Sequence, residues 1–204
     1  MRLTFDEVNH HYYVDGQRVP SVTEILGDLS TVKRLDPSWL AAARERGQLV
    51  HKVVELHNQN DLDESSVDPS VAGYLKAWKR FCSDLMFKPL VTERVVYSQR
   101  WGFAGKLDVL GVWQPNRWRR FCLPEVKTGA KDPAHAPQTA AYVQAAVEME
   151  ILDDLRPKDL PQRCGVYLDA SGYYNCDRFS DPQDWPTFVA ALTCWKFKQR
   201  HGLL

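Results

Sequence analysis

The chain has 204 residues, 44% of them hydrophobic and 11% aromatic, and its 26 basic and 26 acidic side chains leave a formal net charge of zero. That size and apolar content suit one buried core, so a single domain over 1–204 is expected, and no apolar run reaches the roughly 18 residues a spanning helix needs. Zero net charge excludes the overall basic field of a nonspecific nucleic-acid binder, and five cysteines without CxxC spacing argue against a disulfide framework or a zinc site.

Met1 to Glu7 does not read as a secretory signal, so a soluble, cytoplasmic protein with reduced thiols and no membrane partner is expected. Tyr12 to Val19 then reads as a hairpin about an Asp15-Gly16 turn. Ser21-Val22-Thr23-Glu24 has the capping-box pattern, which starts a short helix before Ile25-Leu26 that Gly27 should stop. Together these make an N-terminal unit over 10–27. From Pro37 or Ser38 to about Asn58 the spacing of Leu40, Ala43, Leu49, Val50, Val53, Val54 and Leu56 predicts a helix. Gly47, His51 and Glu55 fall at i, i+4 and i+8 on one of its faces. Glycine there lets something approach the backbone, and an imidazole and a carboxylate one turn apart can serve a metal site.

An acidic loop follows at Asn60 to Ser66, then helical spacing from Pro69 to Phe87. Val91 to Tyr97, Phe103 to Trp113 and Arg119 to Val126 read as an antiparallel meander with turns at Ser98 to Gly102 and Gln114 to Trp118. A second long helix runs from Pro133 or Ala134 to about Leu152, with Gln138 and Tyr142 one turn apart. Arg163 to Leu168 and Tyr173 to Phe179 form a final strand pair, and Asp184 to about Arg200 a closing amphipathic helix. Charge is uneven along the chain: Lys and Arg gather in Glu93 to Arg120 and at Lys196, Lys198 and Arg200, whereas acids collect in Asp61 to Asp68 and Glu148 to Asp159.

The chemistry concentrates in the meander. Pairing residue 113 with 120 places Asp108 opposite Glu125, with Cβ atoms roughly 5 Å apart. Lys127 lies on the same face about 6 to 7 Å further along. Two acids that close repel unless a cation sits between them, and hard oxygen ligands suit Mg²⁺ or Mn²⁺. A lysine beside the ion can orient or deprotonate a water, or neutralise phosphoryl charge. Pro124 removes a ladder donor just before Glu125, so the strand should be irregular there or at a sheet edge, leaving an entry for metal and water. Taken singly, these residues read equally as a solvent-facing charge ladder, a surface His/Glu pair, an ordinary helical glutamine and a half-buried tyrosine.

Their order is more specific than any one of them. A helical Gly-x-x-x-His-x-x-x-Glu (Gly47, His51, Glu55), then Gly-x-x-Asp (Gly105, Asp108), Glu-x-Lys (Glu125, Lys127) and a helical Gln-x-x-x-Tyr (Gln138, Tyr142) resembles the PD-(D/E)XK nuclease superfamily. The resemblance is to the branch that includes the RecB nuclease domain, the CRISPR adaptation nucleases, the mitochondrial genome maintenance exonuclease and many phage exonucleases. Ser21-Val22-Thr23 extends the likeness toward the N-terminus. The resemblance implies an α/β restriction-endonuclease-like core (αβββαβ) over about 38–180, a central mixed sheet flanked by helices, with a C-terminal helix over about 184–201.

It also implies residue roles. His51, Asp108 and Glu125 would ligate Mg²⁺ or Mn²⁺, with the Val126 carbonyl as a further ligand, and Lys127 would position or activate water. Glu55 would hold a second ion through water. Gln138 and Tyr142 would support the site and touch the nucleic acid, with Arg46 and Ser21 as phosphate contacts. Some relatives carry an iron–sulfur cluster on closely spaced C-terminal cysteines; Cys164, Cys176 and Cys194 are too far apart for that pattern, so none is expected. The implied activity is metal-dependent exonucleolytic hydrolysis of DNA, on single strands or duplex ends, in recombination or repair in a bacterial or phage-infected cell. With no helicase motif in the chain, a helicase or a single-strand annealing protein is the implied partner. A structure-specific or CRISPR-type end-processing nuclease acting in a complex, and a binding module that no longer cleaves, are the alternatives.

Overall fold

The computed structural model describes residues 1–31, 37–114, 120–151 and 160–204, with side chains at 37–39 excepted. The expected turn from Gln114 to Trp118 lies, beyond Gln114, outside the described residues, as do the strand start at Arg119 and the helix end at Leu152.

The chain folds as an α/β protein in which helices flank a five-stranded mixed sheet. Strands β1 (Leu3–Asp6), β2 (His11–Val14) and β3 (Gln17–Val19) form a separate antiparallel sheet. Helices α1 (Val22–Ile25), α2 (Pro37–Asn58) and α3 (Pro69–Asp84) follow. Next come β4 (Phe87–Ser98), β5 (Phe103–Trp113), β6 (Arg120–Lys127), α4 (His135–Glu148), β7 (Gln162–Leu168), β8 (Tyr174–Phe179) and α5 (Asp184–Arg200). In space the strands run β4-β5-β6-β7-β8, antiparallel except for β6 beside β7. A parallel pair needs a crossover, and α4 supplies it.

Side chains alternate across the pleat, so each strand feeds two cores. On one side Val96, Phe103, Leu107 and Leu123 pack with Ala141, Tyr142 and Ala145 of α4 and Phe188 and Leu192 of α5. On the other, Val109, Val126 and Val166 pack with Val50 and Val54 of α2 and Trp78 and Phe81 of α3. Leu123 and Glu125 therefore look toward α4 while Val126 looks away. A third cluster, Tyr12, Tyr97 and Ala104, joins the small sheet to the large one. Among the described residues no helix is long and apolar enough to cross a membrane.

Several local readings change. β1 extends the expected N-terminal hairpin to three strands, because Leu3 to Asp6 pairs residue by residue with Val14 to His11. Gly27 does not stop the first helix; the chain continues through it as a 3₁₀ turn over Leu26–Asp28, tightened as helix ends often are. Phe87 belongs to a strand, since Met86 turns the chain at φ 49° directly after α3. Leu49 is 45% exposed, one position off the stripe that Val50 and Val54 bury. Pro124 is not at an edge, for β6 lies between β5 and β7.

Candidate metal centre and catalytic cleft

The irregularity expected at Pro124 is present. β5 and β6 pair as Trp113↔Arg120, Val112↔Phe121 and Gly111↔Cys122, and the ladder ends there, although β6 stays paired with β7 as far as Lys127. Pro124 has no N–H to offer. Beyond the last paired residues the Asp108 carboxylate enters between the strands and its Oδ2 accepts the Val126 N–H at 2.7 Å. The Asp108 backbone thus stays apart from β6 while its side chain is fixed to it.

On its other flank Asp108 faces Glu93. The β4–β5 register pairs Thr92 with Val109 and Arg94 with Leu107, so Glu93 is the residue opposite Asp108. Glu93 adopts φ 49° inside a strand, a left-handed conformation that costs a glutamate on the order of 1 kcal/mol or more. His51 Nδ1, from α2, stands 3.0 Å from Glu93 Oε1 and 3.4 Å from Asp108 Oδ1. Ligand atoms of His51, Glu93 and Asp108 all lie within 4.8 Å of one another. Lys106 Nζ holds the second Glu93 oxygen at 2.5 Å.

Burial alone would lower the His51 pKa, but the carboxylates of Asp108 and Glu93 outweigh it and raise it to about 9. An imidazolium then stands among acids that ask for a cation. Burial raises Asp108 above the usual carboxylate range against the pull of His51 and Lys127. Burial also raises Glu93, yet His51 and Lys106 bring its net shift below the ordinary value.

Glu125 forms the second half of the site. It is 2% exposed. Its Oε1 accepts from Lys127 Nζ at 3.0 Å and from Gln138 Nε2 at 2.8 Å. Its Oε2 is buried without a hydrogen-bond partner. Burial, then the nearby Asp108, pushes Glu125 up to about 8. Lys127 is raised as well: burial opposes its charge, but Glu125 and Asp108 favour it more, so it is an ammonium. Gln138 also donates to the Tyr142 hydroxyl at 3.0 Å.

Gly105 explains where Tyr142 sits. A Cβ at 105 would lie 2.5 Å from Tyr142 Cε1, so only glycine lets α4 bring that ring onto β5. Tyr142 is 3% exposed, which makes it a support for Gln138 and leaves no open ring face for a base.

These side chains line one cleft of about 590 Å³, together with Ser21, Gly47 and Glu55. Other expected residues fall differently. Glu55 is tied to Lys52 at 2.9 Å and to Gln59 at 3.3 Å, outside the three-residue cluster. The Ser21 hydroxyl caps α1 by accepting the Glu24 N–H, and 3% exposure leaves it little room for a phosphate. Arg46 is not part of the cleft wall, which takes Arg44 and Lys52 from the same helix, and its Nε is buried without a partner. Val126 brings its N–H to Asp108, while its side chain is core.

Glu93 was missed, though a signal existed. Counting back from the turn, where Ser98 pairs with Phe103, puts Glu93 opposite Asp108. Lys106 and the contribution of the N-terminal sheet were missed too, the latter because only the assembled fold shows Phe5, Glu7, His10 and Tyr12 along the cleft.

The convergent donors, the carboxylates of Glu93 and Asp108 and the imidazole of His51, fit a hard divalent ion. Glu125 lies outside that three-residue group, and its bare buried oxygen, an acceptor without a partner, costs about 1–3 kcal/mol. The chain matches no protein-family model and no curated protein sequence.

Proposed function

We propose that this chain is a divalent-metal-dependent nuclease of PD-(D/E)XK type that hydrolyses phosphodiester bonds in DNA, acting from strand ends. The observation that carries the reading is the bare Glu125 Oε2, buried in the same cleft as His51, Asp108 and Lys127. His51, Asp108 and Glu125 would hold Mg²⁺ or Mn²⁺, and Glu93 joins them as an acid the sequence motifs do not include. When bound, such an ion neutralises phosphate charge and lowers the pKa of a water.

The chain's own residues do the rest. Val126 N–H fixes Asp108 so that its Oδ1 remains toward His51. Gln138 and Lys127 fix Glu125 from one side, leaving Oε2 free to ligate. Lys127, as an ammonium 20% exposed at the cleft, can donate to a water or to a phosphoryl oxygen and offset the charge that grows there. Being protonated, it suits that role better than a general base. Tyr142 locks Gln138 from behind.

The test is incubation of the purified protein with end-labelled single-stranded and duplex DNA, with and without Mn²⁺. Cleavage should require the ion, stop with a chelator, and fall at least about a hundredfold in Lys127→Ala without loss of Mn²⁺ binding. DNA left uncut at every Mn²⁺ concentration, or a Lys127→Ala protein at full rate, contradicts the reading.

A further inference from the structure

The cleft has a wall that the metal chemistry does not use. Phe5 and Tyr12 are directly paired across β1 and β2, their rings stacked with centroids 4.6 Å apart. Tyr12, 2% exposed, is committed to the core between the two sheets. Phe5 is only half-buried, and its ring reaches the cleft.

Beside it His10 sits at φ 57°, on a turn that Asp6 organises by accepting the N–H groups of Val8 and Asn9 at 3.0 and 3.1 Å. The turn brings the exposed imidazole edge-on to Phe5, with centroids 5.0 Å apart. The same ring also meets Tyr12 edge-on, with centroids 6.2 Å apart. Partial burial and then Lys106 lower the His10 pKa, so the ring is neutral near pH 7. Lys106 Nζ stands 5.7 Å from the Phe5 centroid.

Resting on the nuclease reading above, we propose that Phe5 and His10 form a stacking subsite for an unpaired nucleobase, so that the strand entering this cleft is single. The division of the lining supports it. The N-terminal segment contributes the aromatic surface of Phe5, His10 and Tyr12 along with Glu7, α2 contributes Arg44 and Gln48 as donors beside the Lys52–Glu55 pair, and the large sheet contributes Lys106 and Lys127 with Glu93, Asp108 and Glu125. A single strand presents the matching pair of surfaces, π-faces on one side and phosphates on the other. A duplex does not, because its base faces are already stacked and only base edges are open in the grooves. The volume agrees: about 590 Å³ is that of a small-ligand pocket, room for on the order of one or two nucleotides.

The experiment uses the complete chain with Mn²⁺ and three substrates: a single-stranded oligonucleotide, the same strand with its two terminal nucleotides at each end made abasic, and the blunt duplex. Wild-type protein should favour the intact single strand over the abasic-ended one by about tenfold in kcat/KM, mostly through KM. Phe5→Leu, which keeps an apolar side chain in the small sheet, should lose most of that preference, and Phe5→Trp should retain it. His10→Ala, on an exposed turn, should reduce it by about threefold with the fold intact. Equal rates on intact and abasic ends, a preference for the blunt duplex, or undiminished discrimination in both Phe5→Leu and His10→Ala would overturn the subsite. Failure of the nuclease reading looks different: the wild type cleaves none of the substrates in Mn²⁺, and the subsite falls with it.

Discussion

Glu93 and Asp108 face one another across β4 and β5, and a strand residue is held at φ 49° where they meet. Strain of that kind persists where surrounding structure over-determines it, and here Lys106 and His51 grip the two Glu93 oxygens. If Glu93 is a ligand, Glu93→Gln should weaken Mn²⁺ binding by at least about tenfold in calorimetric titration, with the fold retained. Unchanged affinity would make Glu93 a holder of His51 only.

Glu125 should be a liability to the metal-free protein. Its folded pKa, about 8, lies above its ordinary 4.5. An acid shifted upward costs stability at pH values above its unfolded pKa, the cost growing until the folded pKa is passed and vanishing below both. Glu125→Gln should therefore raise thermal stability near pH 7, by up to about 3 kcal/mol, and make little difference near pH 4. It should also abolish the stabilisation that Mn²⁺ gives the wild type. A metal-free Glu125→Gln protein less stable than the wild type at neutral pH would refute the unfavourable burial.

Metal binding should climb with pH. In the absence of an ion, His51 loses its proton only near 9 and Glu125 near 8, and an ion needs the imidazole neutral and the carboxylate ionised. Binding below those values displaces both protons. Affinity should rise steeply from mildly acidic pH, by up to about a hundredfold per unit while both protons are present, and level off above about 9. Titrations in buffers of different ionisation enthalpy should count about two protons released near neutrality. Release of none would mean that neither group ligates.

Gly105→Ala isolates the support under the site. Its Cβ would stand 2.5 Å from Tyr142 Cε1 and 3.3 Å from Val22 Cγ2, contacts that force the ring to move. A loss of about 1–3 kcal/mol in thermal stability is expected, and cleavage should fall as Gln138 loses its anchor. Tyr142→Leu in the same chain should recover part of the stability but not the rate. Full activity in Gly105→Ala would show that Gln138 needs no anchor.

What the sequence disclosed followed from local rules. The Asp15-Gly16 turn, the Ser21/Glu24 capping box and the periodic stripe of α3 announce themselves within a few residues of chain, whereas α5, expected to be amphipathic, spreads its apolar residues around the helix. The Trp113↔Arg120 register could also be counted from the meander. What it withheld depended on long-range packing. The position of Glu93 opposite Asp108 could be counted from the turn, but its left-handed backbone could not; Lys106 gains its importance from a partner on the next strand, and Phe5 and His10 from a small sheet that reaches the cleft. Arg46 and Ser21 show the opposite failure: the resemblance implied both as phosphate contacts, but Arg46 is not in the cleft lining, and Ser21, though it lines the cleft, spends its hydroxyl on a helix cap. Tyr142 kept its place next to Gln138 yet proved buried, because the bare backbone of Gly105 admits its ring into the core beside β5.

The most direct measurement is anomalous diffraction from a crystal soaked in Mn²⁺. A manganese peak should appear in the cleft within bonding distance of Asp108 and of the Glu125 Oε2, with His51 turned onto it. A cleft without manganese at saturating concentration, its Glu125 oxygen still bare, would contradict the account.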